Sequence, residues 1–146
     1  EFLNENLLSD TKEGVLAELI NILIESGLKI DRARAIDVLQ QREKLGSTGI
    51  GDGVAIPHGK VSDLQDMVIA FGRSRRGIAF NAIDGKPVRL FFLLLAPEHS
   101  TGQHLKALAR ISKMLKTPNF RKTLIDAKTK NDLYKAIVEQ DASCPL

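Results

Sequence analysis

The chain has one cysteine, Cys144, no tryptophan and only 5% aromatic residues in a length of 146. A lone cysteine excludes an intramolecular disulfide and a cysteine-rich zinc site, and it points to a reducing cytoplasm. No apolar run reaches the roughly 18 residues that a membrane span needs. The longest, Leu90 to Ala96, has the length of a strand. The N-terminus lacks a basic region followed by an apolar stretch, so neither a secretory signal nor membrane insertion is expected. No aromatic residue alternates with Arg73, Arg75 and Arg76. A base-stacking platform is therefore missing, and nucleic acid is not an expected partner. The net charge of +3 is too mild to demand one.

Several catalytic signatures are absent too. The glycine-rich stretch fails the phosphate-loop spacing, because Gly53 and Gly59 are separated by five residues and Val61 follows Lys60. It fails the dinucleotide fingerprint because Val54 stands where glycine is required. There is no G-x-S-x-G elbow for a serine nucleophile and no H-E-x-x-H pair for zinc.

What remains is an ordinary globular composition, 43% hydrophobic and 27% charged, in a length suited to one domain spanning 1–146. Residues 10–26 predict a first helix, capped by the pair Asp10 and Glu13, with Val15, Leu16, Leu19, Ile20 and Leu23 at helical spacing and Gly27 as its stop. A second runs from Asp31 to Leu45, with Arg42, Glu43 and Lys44 in its last turn. Val54 to Ile56 suits a buried strand that Pro57 ends, leaving His58 at a strand end and Lys60 to Asp66 as a polar link. Met67 to Phe71 predicts a strand, Arg73 to Gly77 a solvated basic turn, and Asp84-Gly85 a tight turn. Val88 to Ala96 alternates too little for a half-exposed strand and is placed centrally, buried on both faces. Ser100 and Gln103 form a capping box for a helix with the stripe Leu105, Leu108, Ile111, Leu115, which puts His104 in its first turn. Thr117-Pro118 and Thr129 open two further helices. Helices interspersed with strands imply an α/β fold, a small sheet covered by helices.

The chemistry concentrates between Gly46 and Lys60, where Gly46, Gly49, Gly51, Gly53 and Gly59 surround a single histidine. His58 alone is more often just a polar strand-end residue. Arg42 upstream and His104 at a helix N-terminus change its context. Neutral imidazole is a good nucleophile near neutral pH, and a phosphoryl group on it would need donors. Arg42, the hydroxyls of Ser47 and Thr48, and His104 with its helix N–H groups are the right kinds, while Gly59 leaves the imidazole unobstructed. A zinc site built from His58, His104 and a carboxylate stays open on these residues alone. His99 reads as a solvated loop residue.

The run Arg42-Glu-Lys-Leu-Gly-Ser-Thr-Gly-Ile-Gly-Asp-Gly-Val-Ala-Ile-Pro-His58-Gly-Lys60 resembles the active-site motif of the type 2 (fructose/mannitol/nitrogen) enzyme IIA family of the phosphoenolpyruvate-dependent phosphotransferase system. The similarity continues through Ile78 to Val88, the strand ending at Pro97, and His104-Leu-Lys-Ala-Leu. The resemblance implies a mixed, roughly five-stranded sheet between helices. It implies that His58 is a phosphoryl acceptor at its tele nitrogen, served by an HPr-like phosphohistidine protein, with His104 and Arg42 stabilising the group and no metal or cofactor. The region from Asp84 to Lys113 is more similar to the nitrogen-regulatory branch, whose members act on regulatory target proteins. The alternative is a sugar-specific member that hands the phosphoryl group to a IIB domain.

Overall fold

The computed structural model describes residues 2–143, and Cys144 lies outside them. Among the described residues the elements run β1 (Leu3–Asn4), α1 (Lys12–Glu25), α2 (Arg32–Lys44), β2 (Gly49–Gly51), β3 (Val54–Ala55), β4 (His58–Val61), β5 (Val68–Ile78), β6 (Val88–Pro97), α3 (Thr101–Leu115), α4 (Pro118–Asp126) and α5 (Lys130–Ser143). The strands form one mixed sheet of six, ordered β1-β5-β6-β3-β2, with β4 also on β6. This is the expected α/β architecture with one strand more.

β6 is the axis of the sheet. It pairs antiparallel with β5 and parallel with both β3 and β4. Its side chains alternate between two apolar clusters. Phe91, Leu93 and Leu95 join Leu16, Leu19, Leu23 and Leu39 from α1 and α2. Leu90 and Phe92 join Ile111, Met114, Leu124 and Leu133 from α3, α4 and α5. Burial on both faces explains the near-continuous apolar run of β6. Each such side chain contributes about 1.5–3 kcal/mol by leaving water.

Some boundaries differ from expectation. Thr11, not Asp10, caps α1, its Oγ1 accepting from Gly14 N at 3.0 Å. Asp31 caps α2 and Gly27 follows α1 at φ 98°, as the sequence indicated. The chain does not leave the sheet at Pro57. It shifts along β6 and continues as β4, so His58 begins a strand and the segment up to Val61 is not a polar link. Leu105 is 62% exposed and does not belong to the core stripe of α3, which is carried by Ile111, Met114 and Leu115.

The largest correction concerns Arg73 to Gly77, which lies inside β5 rather than in a solvated turn. Arg73 is 0% exposed. Its Nε donates to Glu5 O at 3.0 Å, and its Nη1 donates to Leu124 O at 2.9 Å and to the Ile125 and Ala127 carbonyls. A buried guanidinium thus supplies donors to carbonyls that the C-terminus of α4 leaves unpaired.

Candidate functional site

The glycine-rich stretch folds as a tight hairpin. Gly51, Asp52 and Gly53 all have left-handed φ, at 96°, 57° and 76°, and link β2 to β3. Such a succession requires glycine at its ends. The hairpin returns the chain to β6 and so sets the position at which His58 enters β4. Gly59 lines the cleft beside His58, and its lack of a side chain also serves packing. A Cβ there would meet Val38 Cγ1 at 2.5 Å, so the missing side chain lets α2 lie directly on β4. That close packing brings Arg42, in the last turn of α2, over His58.

His58 is held at both nitrogens. Nδ1 lies 2.8 Å from Ile56 O, and because a carbonyl can only accept, Nδ1 carries the proton. Nε2 is then the lone-pair nitrogen, and Arg42 Nε donates to it at 3.2 Å. Arg42 is fixed in turn by Nη1 donating to Gly46 O at 2.8 Å. Across the pocket, the His104 ring packs edge-on to His58, with centroids 5.3 Å apart and planes at 77°. His104 is buried, and its Nδ1 has no hydrogen-bond partner among the described residues.

The pocket is a cleft of about 360 Å³ lined by Val38, Arg42, His58, Gly59, Lys60, Thr101, His104, Leu105 and Leu108. A larger apolar groove, about 790 Å³, lies on another face of α3, against β5 and α5. Among the described residues its lining includes no histidine, so chemistry rather than size identifies the site. The N-terminus of α3 opens into the smaller cleft through Thr101. The expected capping box does not form, since Ser100 makes no side-chain cap and its Oγ donates to Pro97 O at 3.0 Å. The first N–H groups of α3 are therefore left uncapped by a side chain at the positive end of the helix dipole, a setting that favours an anion.

Lys60 was not singled out from the sequence. It stands two residues after His58 on β4, so the strand period puts both side chains on one face of the sheet. Its Nζ donates to Thr101 Oγ1 at 2.6 Å, bridging β4 to the start of α3. Once His58 is placed on a strand, the spacing alone reveals it. Ser47 and Thr48 are not brought into the cleft. Ser47 Oγ donates to Phe80 O at 2.6 Å, and Thr48 Oγ1 donates to the Glu43 carboxylate. Among the described residues no three His, Cys, Asp or Glu side chains gather as a metal would require.

Both imidazoles are pushed below the ordinary histidine pKa. For His58 the largest cause is burial, which outweighs the hydrogen bond to Ile56 O; the Arg42 charge lowers it further while Glu43 opposes. For His104 the cause is again burial, followed by the His58 and Lys60 charges. His58 therefore stays neutral and nucleophilic at mildly acidic pH. The rate of any reaction at Nε2 is expected to hold constant above about pH 6.5 and to fall only as pH drops through the lowered value. Stability follows the same sign. The unfolded chain takes up protons first, so the contribution of both histidines is complete above about pH 6.5 and is lost below it. A rate profile whose midpoint lies above the free-histidine value would contradict this.

The chain matches the family model for the phosphoenolpyruvate-dependent sugar phosphotransferase system, EIIA 2, over residues 2–140. It is 43% identical over 128 residues to a nitrogen regulatory protein of Bradyrhizobium diazoefficiens, covering 88% of this chain and 83% of that one. It is 37% identical over 136 residues to the fructose-specific EIIABC component of Bacillus subtilis, covering 93% of this chain but only 21% of that much longer protein. Among solved structures, nitrogen regulatory protein IIA-Ntr from Neisseria meningitidis superposes with a TM-score of 0.85 at 35% identity, covering 93% of this chain and 92% of that one.

Proposed function

The chain belongs to the EIIA type 2 family of the phosphoenolpyruvate-dependent sugar phosphotransferase system, and from that premise we propose that it is a histidine phosphocarrier whose acceptor is Nε2 of His58. One observation carries the reading. The Nδ1 proton is tied to Ile56 O, which leaves the other nitrogen as a lone pair facing the cleft, with a guanidinium already on it.

Transfer from an HPr-like phosphohistidine protein forms one bond and breaks one. The Nε2 lone pair attacks phosphorus, the donor's N–P bond breaks, and the electron pair stays on the donor ring. His58 keeps its Nδ1 proton throughout. Arg42 slides from Nε2 to an oxygen of the arriving group, where a charge-assisted bond is stronger than its present one. The Lys60 ammonium, His104 and the uncapped start of α3 face the other oxygens. Catalysis of this kind is mainly positioning and charge stabilisation, and no metal is required.

The nitrogen-regulatory relatives support a regulatory role, in which phosphorylation state controls target proteins. The fructose-specific relative supports a second reading, transfer onward to a IIB domain. Incubation with phosphoenolpyruvate, enzyme I and an HPr-type protein is expected to give an acid-labile phosphoprotein, and comparing donors from the two branches separates the readings by rate. His104→Ala should slow labelling by about two to three orders of magnitude while the acceptor remains, the effect of removing one stabilising group. An unchanged labelling rate would remove His104 from the mechanism.

A further inference from the structure

Glu43 stands between Arg42 and Lys44 in the charged last turn of α2. In the structure its side chain is only 6% exposed and lies 3.0 Å from Lys12 Nζ. The same carboxylate accepts from Thr48 N at 3.1 Å and from Thr48 Oγ1. It therefore ties the first residue of α1 and the last turn of α2 to the segment that precedes β2. Lys12 is itself seated, with Nζ 4.6 Å from the centre of the Phe80 ring and 3.5 Å from Phe80 O. Ser47 Oγ donates to that same carbonyl.

The segment gripped by Glu43 reaches both groups that hold His58. Gly46 O takes Arg42 Nη1 at 2.8 Å. Thr48 O takes Ile56 N at 3.0 Å, and Ile56 O takes the Nδ1 proton of His58. Thr48 is thus two residues from the acceptor that aims Arg42 and one hydrogen bond from the residue that selects the imidazole tautomer. A buried carboxylate with an ammonium and two further donors is fixed more firmly than an exposed pair.

We propose that Glu43, clamped by Lys12, is a positioning residue for phosphoryl transfer, holding the Gly46–Thr48 segment so that Arg42 points at Nε2 and the Nδ1–H tautomer of His58 prevails. The role rests on the phosphocarrier reading above. It assigns Thr48 to the scaffold of the site rather than to the phosphoryl group.

The test follows single-turnover transfer from a phosphorylated HPr-type protein in wild type, Glu43→Gln, Thr48→Val and Thr48→Ser. Nitrogen-15 spectra of the unphosphorylated His58 ring and thermal melts accompany it. Glu43→Gln is expected to lower the transfer rate by about 10- to 100-fold, the order of loss that a misplacement near 1 Å brings. Thr48→Val should lower it several-fold, Thr48→Ser should retain the wild-type rate, and the first two should show mixed His58 tautomers. Folded variants with wild-type rates and a single Nδ1–H tautomer would overturn the proposal, as would a lowered melting temperature with neither change. If Glu43→Gln does not fold, Thr48→Val decides by the same criteria. The tautomer is read without any phosphoryl group. Wild type that takes no label, together with a variant that still scrambles the ring, would refute the phosphocarrier reading, and with it the role in transfer, while leaving Glu43's hold on the His58 tautomer in place.

Discussion

Replacing His58 with alanine is expected to reduce phosphoryl uptake to background, the largest functional effect of any single change in this chain. The replacement removes the one imidazole with both a fixed proton and a lone pair directed at a cation. His104 cannot substitute for it. That ring is buried, and among the described residues its Nδ1 has no partner to fix its proton. The loss is chemical rather than structural. His58→Ala gives up two hydrogen bonds of a half-buried ring, a cost of about 1–3 kcal/mol, within the stability of an ordinary domain. Circular dichroism of the variant should match wild type while labelling is absent. Labelling at the wild-type level in the folded variant would place the acceptor elsewhere.

The second large effect concerns stability and lies far from the cleft. Arg73→Met keeps most of the side-chain volume but removes the donors to Glu5 O, Leu124 O, Ile125 O and Ala127 O. A fully buried carbonyl left unpaired, here Leu124 O, costs about 1–3 kcal/mol and the three part-buried ones less, so a total loss on the order of 3–5 kcal/mol is expected. For a chain of this size that corresponds to a melting temperature lower by about 10 °C or more. Arg73→Lys should fall between, because one ammonium cannot reproduce the planar fork. Arg76→Ala, at an exposed neighbour in the same strand, should change stability by no more than about 0.5 kcal/mol. Equal effects at the two positions would show that the basic run is a solvated surface after all.

Arg73 also illustrates what a single sequence conceals. Arg-Ser-Arg-Arg-Gly carries every local sign of an exposed turn, yet three of the four carbonyls that Arg73 serves belong to a helix end some fifty residues later and the fourth, Glu5 O, to the start of the chain. A long-range partner leaves no periodic trace. Glu43 was hidden in the same way, since its partners Lys12 and Thr48 come from different elements. The apolar periodicity of α1 was legible because burial repeats at the helix interval, and β6 was legible through an unbroken apolar run because it is buried on both faces. His58, Arg42 and His104 were legible through their motif, and the structure brings all three to one cleft. Ser47 and Thr48 sat inside that motif as plausible donors, yet motif membership does not say which way a hydroxyl turns. The glycines misled in a related manner. Spacing announced that backbone freedom was needed, but not that Gly51 and Gly53 build a hairpin while Gly59 admits a helix.

The membrane question also has a structural side. Among the described residues no helix is long and apolar enough to cross a bilayer. The apolar content is spent on the two clusters that flank the sheet.

The proposed phosphoryl transfer turns on a single atom, Nε2 of His58. Its most direct test is nitrogen-15 and phosphorus-31 spectroscopy of the wild-type protein after phosphorylation by an HPr-type donor, with the histidine rings labelled. The phosphorus is expected to couple to Nε2 of His58, with the proton still on Nδ1. Coupling to Nδ1 of that ring, or to either nitrogen of His104, would contradict it.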